Sequence, residues 1–531
     1  LLLREKAKKE SKVWYAFFMR KWLAAAHGWG NKHEWLLLLL VAVIVLRIPS
    51  LVTPHYYGDE EIYLVMGRAW RMGVPLYQAM FDHKPPLIYI LAGIFPTIAA
   101  FRGMLLLMMM GHTVLFWKLS KLFWGEKNRN LAKWSSGIFV LLSSWPLIEG
   151  LIVNAELLMM LPITASLVMI WPNRKYGWKK YLLAGLVAGI GWLYKIPVMF
   201  DAIALALYLF IFRADTLGKS LRNIFSGGMI AYLGGFVLPL LMTFGYYFAK
   251  GHGNDYLGTV LTMNVGYVSS WSTSSYAFNP FQSGLVVRGT ILAIFTLLIY
   301  LFRKRMDRRV VLAAIWVSFA WFGALLSSRP YPHYLQELIP AVALLIPTLF
   351  VAKRIWEWIV WAILLGITIW TQWTVGFWGY PTWSVYQNFG QLITRQITPT
   401  EYRNRFDNTQ RNYAIATYLN DRLTSKDEIF VWGSDATIYN LTNRLPTGGK
   451  YIVSFHVHDL KKYNYTMENL RRNKPKAVVV LQDAGDFPAM EEWLAQEYRE
   501  GWQDGANTVY WKIPEELLIY RKLPKSWYQT N

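Results

Sequence analysis

The 531-residue chain contains no cysteine, which excludes a disulfide scaffold, a thiolate metal site and a thiol nucleophile at once. Charge is also scarce, at 17% of residues, whereas 54% are hydrophobic and 27 are tryptophan. That balance excludes a disordered chain, which needs few aromatics. Acidic residues are the scarcer sign, 33 against 55 Lys and Arg, for a net charge of +22. The excess is local: residues 1–376 carry 36 basic and 16 acidic side chains, and residues 377–531 carry 19 and 17. The basic part also holds the long apolar runs, so nucleic acid is not the partner that the high charge indicates.

Apolar runs of bilayer length, roughly 17–25 residues, occupy 35–51, 104–124, 131–148, 155–171, 180–194, 197–213, 224–249, 284–302, 310–326, 333–352 and 355–376. A twelfth run, 86–101, is ambiguous. Basic loops favour the cytoplasmic side and decide the matter. If 86–101 does not cross and the N-terminus is inside, inside segments hold 26 Lys and Arg and outside loops seven. A crossing there would move eighteen of the 26 to the outer side. The sequence therefore predicts about eleven spans over 35–376, a long first outer loop over 49–103 containing an interfacial helix broken by Pro96, and an outer C-terminal part over 377–531. Residues 1–34 form a basic, aromatic interfacial segment without a small-residue cleavage site, so a removed signal peptide is not expected. The chain begins at Leu1 and not at Met, which leaves room for residues before it.

Chemistry concentrates in the first outer loop. Asp59, Glu60 and Glu61 open a predicted amphipathic helix in which Ile62, Val65, Met66, Ala69 and Trp70 recur at helical spacing. Acids there also suit the positive end of a helix dipole, so a capping cluster is the lesser, bland alternative. In Asp82-His83-Lys84-Pro85-Pro86 the diproline stiffens the backbone and presents His83 and Lys84 at a fixed corner. Further ionisable groups sit at outer span ends, where they are costly and usually functional: Arg102, Glu149, Glu156, Lys195, and Arg329, His333 and Tyr334 in SSRPYPHYLQELIP. The predicted topology puts all of them on one side, which points to a shared site.

The run YGDEEIYLVMGRAWRMGVPLYQAMFDHKPPLIYIL, followed in order by NAELLMM, GIGWLYKIP and RPYPHYLQELIPA, resembles the polytopic glycosyltransferases of GT-C fold. The likeness is to the bacterial branch related to protein O-mannosyltransferases and the lipid A aminoarabinose transferase, and it spans about residues 35–350. It implies juxtamembrane helices in the first outer loop, and transfer of a sugar from a polyprenyl-phosphate donor to a glycan, lipid or protein acceptor. Asp59 matches the family's general base, with Glu60 beside it. Lys84 matches its phosphate-contacting lysine, with His83, Arg102, Lys195, Arg329, His333 and Tyr334 as further candidates for that cradle. Glu156, where the aminoarabinose transferases carry Asp, and Glu149 are expected to orient acceptor or sugar.

No glycine-rich phosphate loop follows a strand, in keeping with a lipid-linked donor. His55, His83 and His333 with nearby acids offer ligands for a divalent ion, but at no metal-binding spacing, so no cofactor is assigned. Beyond residue 377 short β-rich runs, EIFVWGSD, KAVVVLQD and NTVYWKIP with LLIYRKL, alternate with predicted helices near 408–423, 458–473 and 487–500, giving a small α/β domain. His456 and His458 in SFHVHDL alternate as along a strand face, and Ser434-Asp435 and Gly448-Gly449 read as turns. An envelope polymerase or ligase shares this topology but normally carries its large loop between late spans. A transporter would place charges near the bilayer midplane. Reporter fusions after Phe101 and Asn128 should read outside and inside respectively; a cytoplasmic signal at Phe101 would restore the twelfth span.

Overall fold

The structure, a computed structural model, describes residues 33–171, 176–263, 284–327 and 329–516. The expectations for residues 1–32 and for a strand over LLIYRKL lie outside the described residues. Each of the eleven predicted runs is helical: His33–Leu51, Ile98–Trp124, Arg129–Ser143, Ala155–Met169, Trp178–Trp192, Val198–Phe212, Gly227–Ala249, Gly284–Phe302, Arg308–Ala324, Pro332–Phe350 and Ile355–Val375. Among the described residues six helices, those starting at His33, Ile98, Gly227, Gly284, Pro332 and Ile355, are long and apolar enough to cross a membrane. Leu241, Met242, Leu297, Leu301, Ile369 and Trp373 on these helices are each more than half exposed. Such apolar surface fits contact with lipid, not water. The chain is a polytopic α-helical membrane protein with a small C-terminal sheet domain.

The ambiguous run divides. Only Leu87–Ile94 forms its own helix, and eight residues rise about 12 Å, far short of the ~30 Å hydrocarbon core. Pro96 separates it from the next helix, where Thr97 caps the start by accepting from the Ala100 amide at 3.2 Å. A second proline-rich stretch departs from regular α-helix. The run Pro332–Phe350 winds as a tight 3-10 helix over Pro332–Leu338 and again over Ile346–Phe350, flanking an α-helical turn at Ile339–Leu345. Pro332, Pro340 and Pro347 withhold backbone donors along it.

The amphipathic helix predicted after Gly58 runs over Gly58–Arg71. It crosses the Leu87–Ile94 helix at a glycine pair. A side chain on Gly67 would meet Gly93 N at 2.5 Å, and one on Gly93 would meet the Trp70 ring at 2.6 Å. The close approach sets the helix carrying Asp59 directly against the helix that follows Lys84-Pro85-Pro86.

In the C-terminal domain β1 (Ile429–Trp432) pairs in parallel with β2 (Ala477–Val480), with Val431 opposite Val479. Antiparallel β4 (Asn507–Lys512) follows, then β3 (Tyr498–Asp504), in the order β1-β2-β4-β3. Three helices, Thr437–Leu441, Ser454–Asp459 and Tyr463–Asn473, connect β1 to β2. Two expectations are corrected. The helix predicted over 487–500 stops at Glu497, and β3 begins at Tyr498; its side chains are mostly exposed, so it carries no alternating signal. SFHVHDL is not a strand: Ser454–Asp459 is helical, with His456 packed against Phe81 at 5.1 Å between ring centroids, a tertiary contact that overrides local strand preference.

Gly67→Val should be destabilising in the range of overpacked cores, about 1–3 kcal/mol, because the displaced atoms are backbone. Thermal unfolding of purified protein would read this, with Gly103→Ala, where nothing lies within 4 Å, expected to leave stability unchanged.

Candidate functional site

Three consecutive side chains on a helix point about 100° apart, and Asp59, Glu60 and Glu61 accordingly face three different parts of the molecule. Glu60 is fully buried and takes Arg102 in a two-pronged pair, Nη2 to Oε2 at 2.6 Å and Nε to Oε1 at 3.1 Å. It also accepts from the Val153 amide at 2.8 Å. The remaining Arg102 nitrogen donates to the Thr53 and Ser50 carbonyls at 2.9 and 3.2 Å. Glu60 and Arg102 were expected in base catalysis and in the phosphate cradle. Their polar atoms are instead consumed by each other and by the loop, a clamping role. Glu61 faces the C-terminal domain, accepting from Asn440 at 2.7 Å and meeting His55 at 2.9 Å.

Asp59 faces the diproline corner. Lys84 Nζ lies 3.4 Å from Asp59 Oδ2 and 3.7 Å from Asp82 Oδ2, so one buried ammonium is shared by two carboxylates. Tyr63 donates to Asp59 at 3.0 Å, and its ring centroid lies 4.9 Å from Lys84 Nζ. Asp82 is fixed from several directions: Tyr89 donates to it at 2.7 Å, the His83 amide at 2.8 Å, and the His83 ring lies 3.1 Å away. Tyr77 donates to the Lys84 carbonyl and the Lys84 amide donates to Tyr89, at 3.0 and 3.1 Å. The prolines thus present a lysine whose backbone is held by two tyrosines. Asp59, 28% exposed, is the more open of the two carboxylates.

Burial pushes the Asp59 carboxyl up, but Lys84, then His333 and the Tyr63 hydroxyl, more than offset it and hold the group below its ordinary value. For Asp82 burial acts the same way, yet Lys84 and His83 bring it well below the carboxylate range. Both are therefore ionised at neutral pH.

The other predicted residues form a second, contiguous cluster. His333 Nδ1 lies 2.8 Å from Glu149, and His333 Nε2 lies 3.8 Å from Glu156. Lys195 pairs with Glu156 and sits over the Tyr334 ring at 4.2 Å. Tyr57, missed in the sequence, donates to Glu149 and lies 3.2 Å from His333; burial, then Glu149 and Asp59, push its hydroxyl well up, so it stays protonated. Glu149 adopts a left-handed φ of 61°, at the turn that carries it inward. Arg329 pairs with Asp459 of the C-terminal domain at 3.4 Å. Asp201 and Glu337 were also missed. Trp316 donates to Asp201 at 2.7 Å, and both carboxyls are buried. An ionisable residue inside an apolar run was the available signal for Asp201. Among the described residues no group of three or more His, Asp or Glu side chains is arranged to hold a metal ion.

The C-terminal domain packs directly on this loop. Phe81 belongs to that domain's hydrophobic core, and its amide donates to the Lys450 carbonyl at 2.9 Å. Arg68 donates to the Tyr439 and Arg444 carbonyls at 3.0 Å each.

The helical array with its juxtamembrane helices and small C-terminal sheet domain is a GT-C fold. Two similar solved structures are those of ArnT from Cupriavidus metallidurans. The one bound to undecaprenyl phosphate has a TM-score of 0.55 at 14% identity and covers 91% of this chain and 99% of that one. The apo form has a TM-score of 0.51 at 14% identity, covering 92% and 98%. Residues 409–512 match the family model described as the competence-induced protein Ccs4 C-terminal domain. No curated protein matches the chain.

The shared ammonium generates a signed prediction. A carboxylate held below its unfolded value contributes stability that is present above the unfolded pKa and lost as pH falls through the folded one. In Lys84→Met the pKa values of Asp59 and Asp82 rise, so their contribution is already reduced at neutral pH. The melting-temperature gap between wild type and variant should be widest near pH 7.5 and narrow on acidification. A gap independent of pH would show that Lys84 does not set these charges.

Proposed function

We propose that the chain is an inverting glycosyltransferase that moves a sugar from a polyprenyl-phosphate donor to a lipid, glycan or protein acceptor at the outer face of the membrane. The observation that carries this reading is the Asp59–Lys84 pair at 3.4 Å, a partly open carboxylate beside a buried cation, held on a rigid corner. The GT-C fold and the undecaprenyl phosphate bound to ArnT support it. In this proposal the N-terminus is cytoplasmic, residues 35–376 form the catalytic membrane module, and residues 377–531 lie outside and cover the site.

The acceptor hydroxyl attacks the anomeric carbon as the bond from that carbon to the phosphate oxygen breaks. The electron pair leaves on the phosphate, and the hydroxyl proton passes to Asp59 as general base. Attack opposite the leaving group inverts the anomeric centre. Lys84 serves both partners. It holds Asp59 ionised in the resting state, and as negative charge grows on the departing phosphate the ammonium is drawn to it, which raises the proton affinity of Asp59 when the proton arrives. The Glu149–His333–Glu156–Lys195 cluster is the second wall, with Glu156 and Glu149 orienting acceptor or sugar. His83 stands on the Lys84 side of the site, and Tyr334 and Arg329 are the further candidates for the phosphate cradle.

Asp59→Asn should abolish transfer, a fall of at least about a hundredfold as expected for loss of a general base, while undecaprenyl phosphate still binds. Lys84→Ala should weaken binding of that lipid more than binding of an acceptor. Full transfer activity in the Asp59→Asn variant, with any sugar-linked polyprenyl phosphate that the wild type uses, would remove Asp59 from this role.

A further inference from the structure

The C-terminal domain places one side chain against the Lys84 corner. His456 is 4% exposed, and its Nε2 lies 3.9 Å from Asp82 Oδ1, too long for a hydrogen bond. Among the described residues neither ring nitrogen of His456 has a hydrogen-bond partner. A buried N–H without an acceptor is costly and calls for a state in which it is satisfied.

The ring is not loosely held. It packs edge-on against Phe81 at 5.1 Å and Phe455 at 4.6 Å. Its helix is pinned at both ends, by the Ser454 amide donating to the Gly433 carbonyl at 2.8 Å and by Asp459 pairing with Arg329. An acceptor that would relieve it is Asp82, the carboxylate that shares Lys84 with Asp59. Burial lowers the His456 pKa to about 3 despite the attraction of Asp82, so the ring is neutral and offers one N–H and no charge.

We propose that His456 is a positioning residue that takes over Asp82 when Lys84 turns to the lipid phosphate. In the resting arrangement Lys84 spans Asp59 and Asp82. A phosphate that draws the ammonium away leaves the buried charge of Asp82 without that cation, with the Tyr89 hydroxyl and the His83 amide and ring as its remaining partners. A shift of under about 1 Å brings the His456 N–H within the ~3 Å reach of a hydrogen bond, satisfying both the carboxylate and the ring. No proton changes owner; one donor replaces another. The exchange makes release of Lys84 cheaper, and it operates only while the C-terminal domain is docked, so that domain acts on phosphate binding without touching the phosphate. The inference rests on the proposed role of Lys84, and its test needs no sugar or acceptor.

Undecaprenyl phosphate binding to the full chain in nanodiscs is the measurement. His456→Phe keeps the ring packing and removes the N–H; it should weaken binding about tenfold, with unfolding temperature unchanged. His456→Asn, which restores a donor, should recover most of the loss. In an Asp82→Asn background the effect of His456→Phe should disappear, because the histidine acts through that carboxylate. Equal affinity of wild type and His456→Phe, or a loss that persists undiminished in the Asp82→Asn background, would overturn the inference while leaving the donor reading intact. Failure of the wild type to bind undecaprenyl phosphate would remove the donor reading itself.

Discussion

The buried pair of Glu60 with Arg102 is the constraint from which the rest of the site follows. Taken out of water, two charges gain little net stability, yet removing one partner of such a pair typically costs ~3–5 kcal/mol. The value of this pair is positional. Arg102, on the long Ile98–Trp124 helix, fixes the first turn of the Gly58–Arg71 helix and the backbone at Ser50 and Thr53. Glu60 adds the Val153 amide, just before the helix that bears Glu156. With Glu60 anchored, helical geometry leaves no freedom for its neighbours: Asp59 must face Lys84, and Glu61 must face the C-terminal domain.

Charge balance explains why so many ionisable groups can coexist in a site with little solvent. The groups alternate. Asp59 and Asp82 bracket Lys84, His333 stands between Glu149 and Glu156, and Lys195 closes the series against Glu156. Phenols and aromatic faces take the remaining polar contacts, with Tyr57, Tyr63 and Tyr89 donating to Glu149, Asp59 and Asp82. A phosphate entering such an array must compete with existing carboxylates for each cation. That competition is what allows an incoming negative charge to alter the proton affinity of a carboxylate beside it.

Much of the fold was legible because two simple signals dominate it. Bilayer-length apolar runs marked the helices, and the bias in basic residues argued against a crossing at 86–101, where the helix is only eight residues long. The Lys84 corner was legible because two prolines restrict the backbone locally. What sequence could not supply was direction. Asp59, Glu60 and Glu61 read as one acidic cluster, and only the helix shows that they serve three partners. Arg102 looked like a cation for phosphate because its carboxylate partner lies in a different element. The exposed strand Tyr498–Asp504 has no hydrophobic alternation to find, and the strand-like spacing of His456 and His458 was overruled by packing against Phe81.

Phe81 makes the relation of the two parts of the chain a mechanical one. It is the residue before Asp82, yet its side chain is buried in the core of the C-terminal domain with Tyr451, Phe430 and Trp432. A domain that merely sat over the membrane module could tilt without disturbing the site. One that contains Phe81 cannot, since any displacement pulls on the backbone that presents Asp82, His83 and Lys84. Arg68 reinforces the same attachment from the helix carrying Asp59, by donating to backbone carbonyls at Tyr439 and Arg444. The corner is therefore held on one side by Tyr77 and Tyr89 and on the other by the C-terminal domain, and the position of Lys84 depends on both.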